Sequence, residues 1–277
     1  MYVADPTLTL PDDDQPVWRY LDFAKFVAIL DASSLYFARA DTFVDTFEAA
    51  VPVADRLASR EAAMSILTGG EVPRAGILAF LSRHSDRTVE ELDRLPNERL
   101  AREMLRLSNR ALYVSCWHMN DDESAAMWDV YLGGRDGVAL QTTVGALRDE
   151  LDRGSGPDMP VFIGAVNYLD YGRQSWGPYR PFNAVMHKRR SFAHERELRA
   201  VVVRPTWAEL GRYVEHPEEL PNRSGISVRV DLDRLLRRVV ISPRAEVWFV
   251  DLVASMLHRF GLTQTPVNSD LYSAPVF

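Results

Sequence analysis

The spacing of apolar residues changes twice along the chain, and this change limits the folds that the chain can adopt. Residues 17–40 follow a strand, helix and strand pattern, and from residue 111 onwards short strand patterns mix with helical ones. Residues 54–110 carry helical periodicity alone. Strands and helices without regular alternation are typical of α+β folds. We therefore predict an α+β domain on a mixed sheet, with an inserted helical block at 54–110 and a C-terminal helix.

The first sixteen residues differ from the rest in composition. Residues 1–16 contain three prolines and three consecutive aspartates, with few apolar residues to bury. The whole chain has 277 residues, of which 47% are apolar, and this suits one domain with a sizeable core. We expect a flexible N-terminal arm at 1–16 and a single domain over 17–277.

Charge and cysteine content restrict the partners and the compartment. The net charge is −7, so no overall basic field attracts nucleic acid or anionic lipid. Cys116 is the one cysteine, which fits a reducing compartment, and the N-terminus lacks the features of a secretory signal. No apolar run approaches the ~20 residues of a membrane span. We expect a cytoplasmic protein without a membrane partner, and the scattered histidines predict no metal site.

An arginine interrupts the first predicted strand. Arg19 lies inside the apolar stretch "VWRYL" at 17–21. A buried guanidinium without a partner is very costly. The partner is then a ligand phosphate or a protein carboxylate, unless the strand lies at an edge and Arg19 points to water.

Polar and aromatic residues also meet between 113 and 132. Ser115, Cys116 and His118 end a predicted strand, and Trp128 and Tyr131 lie three positions apart on the next helix. Aromatic rings near hydroxyls can stack on a flat ligand ring, although they also serve as plain core. A Cys–His nucleophile would need a third group to orient the histidine, and the sequence shows none.

Two glutamates stand at the beginning of an apolar strand. Glu195 and Glu197 occur in "HERELRAVVV", where an extended chain places both on one face with Arg199. Two carboxylates so close cannot both ionise cheaply in a dry cleft unless cations such as Lys188 or Arg199 compensate. A salt-bridged surface strand explains the same residues. The chain contains no glycine-rich fingerprint of a Rossmann fold and no P-loop.

Three segments in the same order resemble a bacterial family catalogued as domain of unknown function 2971. They are "LYFARADTFVDTFE" at 35–48, "VSCWHMNDDESAAMWDVYLGGRDGVALQ" at 114–141 and "KRRSFAHERELRAVVV" at 188–203. The chain departs from the first pattern at Val44 and Thr46, where the family has asparagine and proline.

The layout is also similar, more distantly, to that of ADP-ribosyltransferases, which split NAD and pass ADP-ribose to an acceptor. The resemblance rests on Arg19 in a first strand, Ser115 in a middle strand, and Glu195 and Glu197 before a later strand. It implies a mainly antiparallel sheet core and NAD as substrate. Arg19 would hold the diphosphate, Ser115 would brace the site, Glu197 would stabilise the ribosyl cation, and Glu195 would orient or deprotonate the acceptor.

Further residues would surround the nucleotide if this resemblance holds. Trp128 or Tyr131 would stack on nicotinamide, and Tyr36, Lys188 and Arg199 would contact the remainder of NAD. The expected function is ADP-ribosyl transfer or NAD cleavage by an effector, in a toxin or phage-defence context, with a protein or nucleic acid as acceptor.

Two other functions remain open from the sequence. One is a non-catalytic module that binds a nucleotide or a protein through the aromatic helix at 124–132. The other is an effector that acts on nucleic acid through the basic stretch at 186–190. The aromatic residues near that stretch would assist by stacking on bases, and they are Tyr168, Tyr171, Trp176 and Tyr179.

Overall fold

The computed structural model describes residues 1–43, 50–68, 73–134, 136–177, 180, 182–206, 209, 216 and 223–272. The strands are β1 (Pro16–Asp22), β2 (Ser34–Arg39), β3 (Leu112–Met119), β4 (Gly137–Thr143), β5 (Val161–Ala165), β6 (Asn167–Leu169), β7 (His187–Arg189), β8 (Glu197–Val203), β9 (Gly225–Arg229), β10 (Arg238–Ile241) and β11 (Val267–Asn268). The α-helices are α1 (Phe23–Ala32), α2 (Arg56–Thr68), α3 (Arg74–Arg83), α4 (Val89–Asp93), α5 (Asn97–Leu107), α6 (Ala125–Leu132), α7 (Val144–Gly154), α8 (Asn183–Met186), α9 (Leu232–Leu235) and α10 (Val247–Arg259).

The main sheet is mixed and mostly antiparallel. Its strands follow the order β11–β10–β4–β1–β3–β2–β9, and β8 joins the other edge of β3 and pairs in turn with β5. Only the β10–β11 pairing is parallel among the described pairs of this sheet. Strands β6 and β7 form a separate parallel pair. The predicted α+β fold on a mixed, mainly antiparallel sheet is confirmed.

The sheet divides at one edge of β3. Strand β1 pairs with the end of β3 at Val17–Met119 and Trp18–His118. Strand β2 pairs with the beginning of β3 at Ala38–Val114 and Arg39–Tyr113. Among the described pairings, residues 115–117 have no strand partner on this edge, because β1 and β2 diverge on either side of them. We call this opening the β1–β2 gap.

The principal core covers one face of the sheet. Helix α10 contributes Phe249, Val253 and Leu257, which recur every four residues and are buried. Burying each such side chain stabilises the fold by about 1.5–3 kcal/mol. Helix α1 begins at Asp22, whose side chain accepts a hydrogen bond from the Lys25 backbone, as the N-cap pattern predicts.

Helices occupy the chain between β2 and β3. Helices α2 to α5 bury their apolar faces against one another in a cluster separate from the principal core. The predicted capping box is present, because Thr88 and Glu91 each bond the other's backbone. The described part of 54–110 is therefore helical, as predicted. No helix within the described ranges is long and apolar enough to cross a membrane.

The N-terminal residues lie along β5, which corrects the prediction of a flexible arm at 1–16. The Val3 backbone donates to Val161 at 2.9 Å, and the Ala165 backbone donates to Thr9 at 2.8 Å. Leu8 and Leu10 pack against two of the core clusters. Composition misled here, because these few apolar residues and the backbone groups suffice to hold an extended segment on a sheet edge.

Candidate functional site

Arg19 extends from β1 into the β1–β2 gap. Its Nη1 donates to Ser115 Oγ at 3.0 Å, and its Nη2 donates to the Tyr36 carbonyl oxygen of β2 at 3.1 Å. The guanidinium also lies 5.7 Å from the centroid of the Trp117 ring. Within the described residues no carboxylate pairs with it, and burial lowers its pKa. Arg19 is thus a half-buried cation held by neutral groups.

Glu195 and Glu197 both contact Lys188, which lies in β7 of the β6–β7 pair. Lys188 Nζ lies 2.6 Å from Glu195 Oε2 and 2.8 Å from Glu197 Oε1. Arg199 Nε donates to the second oxygen of Glu197 at 2.6 Å. All four side chains are buried. They form a desolvated group of two acids and two cations, which we call the acid–base cluster.

The two acids of the acid–base cluster titrate far apart. Burial, followed by the neighbouring Glu197, raises the pKa of Glu195 to about 7, although Lys188 opposes this. Burial also disfavours the ionised form of Glu197, but Arg199 and Lys188 outweigh it and hold the pKa of Glu197 well below its usual range. Near neutral pH Glu197 is ionised, whereas Glu195 is close to half protonated.

A turn in the backbone brings the two glutamates together. The chain forms a 3-10 helix at Arg190–Glu195 and reverses at Arg196, whose φ is 43°. Strand β8 then begins at Glu197. The extended chain through both glutamates that the sequence allowed is therefore not what forms, yet their carboxylates still meet at Lys188. Glu197 and Arg199 do lie on one face, because both belong to the extended strand β8.

His118 and Tyr131 connect Arg19 with the acid–base cluster. His118 faces Glu197 across the β3–β8 ladder, and its Nδ1 lies 2.9 Å from the Glu195 carbonyl oxygen. The Tyr131 ring centroid lies 5.1 Å from that of His118. Burial raises the pKa of Tyr131, and nearby Cys116 and Glu197 raise it further. Tyr131 in turn acts on the pKa of Arg19, so the structure brings these groups into one electrostatic neighbourhood.

The predicted aromatic residues separate into exposed and buried ones. Tyr36 and Tyr131 keep 44% and 38% of their surfaces exposed, so their rings are available to a ligand. Trp128 is buried in a small core cluster, and its indole N–H donates to Glu123 at 2.7 Å. The prediction that Trp128 stacks on a ligand is therefore wrong, because α6 turns this ring inward onto Tyr20.

The predicted basic stretch at 186–190 is only partly at the surface, because Lys188 is buried whereas Arg190 is exposed. Lys188 is buried and neutralised by the two glutamates. The Tyr168 hydroxyl accepts from the Glu197 backbone at 2.8 Å, and the Tyr171 hydroxyl donates to the His187 carbonyl at 3.0 Å. The Tyr168 hydroxyl thereby holds the backbone of the acid–base cluster. Tyr179 lies outside the described residues.

The family pattern around 44–48 cannot be compared with the structure. Val44, Asp45 and Thr46 lie outside the described residues. In the described part of the chain no group of three or more His, Cys, Asp or Glu side chains is placed to hold a metal ion.

The sequence named Arg19, Ser115, Lys188 and the two glutamates as candidate site residues. It did not predict that His118 contacts the backbone of Glu195. The only available signal was its position two residues after Cys116, and its orienting group is a backbone carbonyl 77 residues away. Comparisons of the chain with protein-family models, with curated proteins and with solved structures find no match.

Proposed function

We propose that this protein binds NAD in the β1–β2 gap, cleaves the nicotinamide–ribose bond and transfers ADP-ribose to an acceptor. The observation that carries the proposal is Arg19, a half-buried guanidinium that only neutral groups hold within the described residues. An arginine in such a place favours an anionic ligand, since its planar fork binds phosphate oxygens in pairs. The diphosphate of NAD supplies that charge.

The neighbours of Arg19 suit the remainder of the dinucleotide. Tyr36 and Tyr131 offer exposed rings on which a flat base or nicotinamide stacks. Cleavage builds positive charge on the ribose, and the ionised Glu197 supplies a fixed negative charge nearby. Both Glu197 oxygens already accept one hydrogen bond, but each carboxylate oxygen has a second lone pair for a ribose hydroxyl.

The proposal extends to the setting of the reaction. Cys116 is the one cysteine in the sequence, so we place the reaction in the reducing cytoplasm. The acceptor is a protein or a nucleic acid, and the reaction belongs to an effector of the toxin or phage-defence type. The distant resemblance to ADP-ribosyltransferases supports this setting.

The direct test is incubation of the purified protein with labelled NAD and a cell lysate. We expect free nicotinamide and transferred label from the wild type, and a loss of at least roughly 100-fold in Glu197→Gln because the fixed charge is removed. Glu246→Gln, at an exposed glutamate outside the site, should retain full activity. Intact NAD with the wild type, in the presence of lysate, would reject the proposal.

A second variant guards against a trivial loss of folding. Glu197→Gln leaves Lys188 and Arg199 with less compensation, and breaking a buried ion pair costs about 3–5 kcal/mol. Tyr131→Ala leaves the acid–base cluster intact, and we expect it to raise KM roughly 10-fold through lost stacking. Val130→Ala truncates a more exposed neighbour on α6 and should not change KM.

A non-catalytic nucleotide-binding module is the second candidate. It is favoured by the fact that both Glu197 oxygens are engaged by buried cations, which is also how a purely structural ion cluster looks. Under this alternative NAD raises the melting temperature and no nicotinamide is released. The incubation and a thermal melt together separate the two functions.

A further inference from the structure

The hydrogen bond of His118 fixes which of its ring nitrogens carries hydrogen. Nδ1 lies 2.9 Å from the Glu195 carbonyl oxygen. A carbonyl oxygen only accepts hydrogen bonds, so Nδ1 must be the donor. In a neutral imidazole the other nitrogen, Nε2, then bears a lone pair and acts as a proton acceptor.

The surroundings keep the His118 ring neutral. Burial lowers the pKa of His118, and Lys188 and Arg199 lower it further, while the Glu195 carbonyl and the Glu197 carboxylate act in the opposite direction. The net direction is downward. At neutral pH the imidazole is therefore uncharged and Nε2 is ready to take a proton.

The position of the ring suits a group that meets a ligand. His118 is held on one side by the backbone of Glu195, and the rings of Tyr20 and Tyr131 lie against it at 6.0 and 5.1 Å. In the described part of the chain Nε2 has no hydrogen-bonding partner from the protein. His118 itself keeps 4% of its surface exposed, and its neighbour Tyr131 keeps 38%, so the approach of a ligand to the imidazole is along Tyr131.

We infer that His118 is the general base of the transfer reaction and accepts the acceptor's proton at Nε2. This inference rests on the proposed function and assigns to His118 the proton transfer that the sequence suggested for Glu195. The acceptor oxygen or nitrogen forms a bond to C1′ of the ribose, and the C1′–nitrogen bond to nicotinamide breaks. Its electron pair leaves with nicotinamide, and the acceptor's proton moves to Nε2. The acceptor class is a neutral O–H or N–H nucleophile.

Glu195 is placed to support this step and not to perform it. Its carboxylate is held by Lys188 at 2.6 Å, and its carbonyl oxygen orients His118. A base whose tautomer is set by a third group has the arrangement that efficient proton transfer requires. The orienting group that the sequence did not reveal is thus a backbone carbonyl.

The first measurement concerns the tautomer and needs no NAD. In ¹⁵N-edited NMR spectra recorded at neutral pH, the His118 ring should be neutral with hydrogen on Nδ1, and His118→Asn identifies its signals. A ring with hydrogen on Nε2, or a charged ring, would overturn the inference.

The second measurement compares two variants in the nicotinamide-release assay. His118→Asn keeps an N–H donor near Glu195 but has no base, so we expect kcat to fall by about 10²–10⁴-fold. Added imidazole should restore part of that rate, which a purely structural role of His118 would not allow. Glu195→Gln should lose much less, because it retains the carbonyl that orients His118.

The outcomes distinguish this inference from the proposed function. An active wild type with an equally active His118→Asn overturns the assignment of the base and leaves NAD cleavage standing. A wild type that releases no nicotinamide overturns the proposed function and the base with it, whichever tautomer is found. Loss of activity in Glu195→Gln alone would return the role of base to Glu195.

Discussion

At the scale of single residues, the acid–base cluster separates two carboxyl groups that differ little in sequence. Lys188 contacts both, but only Glu197 has the second cation, Arg199. Two interacting acids release their protons in two steps, and an unequal supply of cations decides which one ionises first. The additional cation at Glu197 thus keeps it ionised near neutral pH, whereas burial leaves Glu195 close to half protonated.

This separation predicts how Glu195 contributes to stability as pH changes. The pKa of Glu195 is raised to about 7 in the folded protein, above its ordinary value of 4.5. The folded state therefore binds the proton more tightly than the unfolded state between these two values. The free energy of unfolding contributed by Glu195 should fall as pH rises from about 4.5 to about 7.

Urea denaturation of the wild type and Glu195→Gln at several pH values measures this contribution. The wild type should lose stability relative to Glu195→Gln across that range, and the difference should level off above pH 7. The comparison is needed because burial also lowers the pKa of His118 and His187, whose contributions have the opposite sign. A constant difference between the two proteins would contradict the raised pKa.

Sequence reasoning at this scale succeeded where charge alone decides. Glu197 begins an apolar strand, and the cost of burying its charge predicts the two cations that it has, Lys188 and Arg199. The protein carboxylate that was one of the partners expected for Arg19 is absent among the described residues. The sequence failed for Trp128 and His118, because the direction of a ring depends on helix rotation and on a distant backbone carbonyl. Neither is encoded in the local spacing of residues.

At the scale of elements, Gly225 in β9 allows the end of the Tyr36 ring to approach the backbone of the neighbouring strand closely. A Cβ atom at Gly225 would be 2.1 Å from the Tyr36 ring and 2.6 Å from the Phe37 carbonyl oxygen. Because the second of these is a backbone atom, the β2–β9 pairing would have to move. We expect Gly225→Ala to lower the free energy of unfolding by about 1–3 kcal/mol.

Urea denaturation tests this expectation, with Gly156→Ala as the matched control. A Cβ atom at Gly156 meets nothing within 4 Å, so that substitution should change stability by no more than about 0.5 kcal/mol. Equal effects of the two substitutions on stability would show that the position of the Tyr36 ring does not require glycine at 225.

The sequence predicted where helices and strands form, but it did not predict which strands pair or where the backbone turns. The spacing of apolar residues located α1, α5 and α10, because the apolar face of an amphipathic helix recurs every three or four residues. The positive φ of Arg196 and the divergence of β1 from β2 carry no such repeat. Both depend on which strands pair, and that is fixed by contacts distant in sequence.

At the scale of the whole molecule, residues 1–9 cover the outer edge of β5. Their backbone hydrogen bonds to Val161 and Ala165 satisfy groups that would otherwise be an open sheet edge. Open edges pair with other chains. We expect deletion of residues 1–9 to cause concentration-dependent self-association, measured by light scattering during size-exclusion chromatography.

Thr7→Ala is the control for this deletion, because it leaves both backbone hydrogen bonds in place. That variant should elute as the full-length protein does. A deletion variant with the same elution and scattering as the full-length protein, at every concentration, would show that the β5 edge is protected by other means.

The opening between β1 and β2 also has a mechanical consequence. In the described structure β1 and β2 do not pair with each other, and each pairs with only one end of β3. Few backbone hydrogen bonds therefore fix the distance between β1 and β2. Arg19 already contacts both neighbouring strands, and a dinucleotide bound to it would act as an additional strut. The occupied protein should then be stiffer than the empty one, with slower amide hydrogen exchange in β1 and β2.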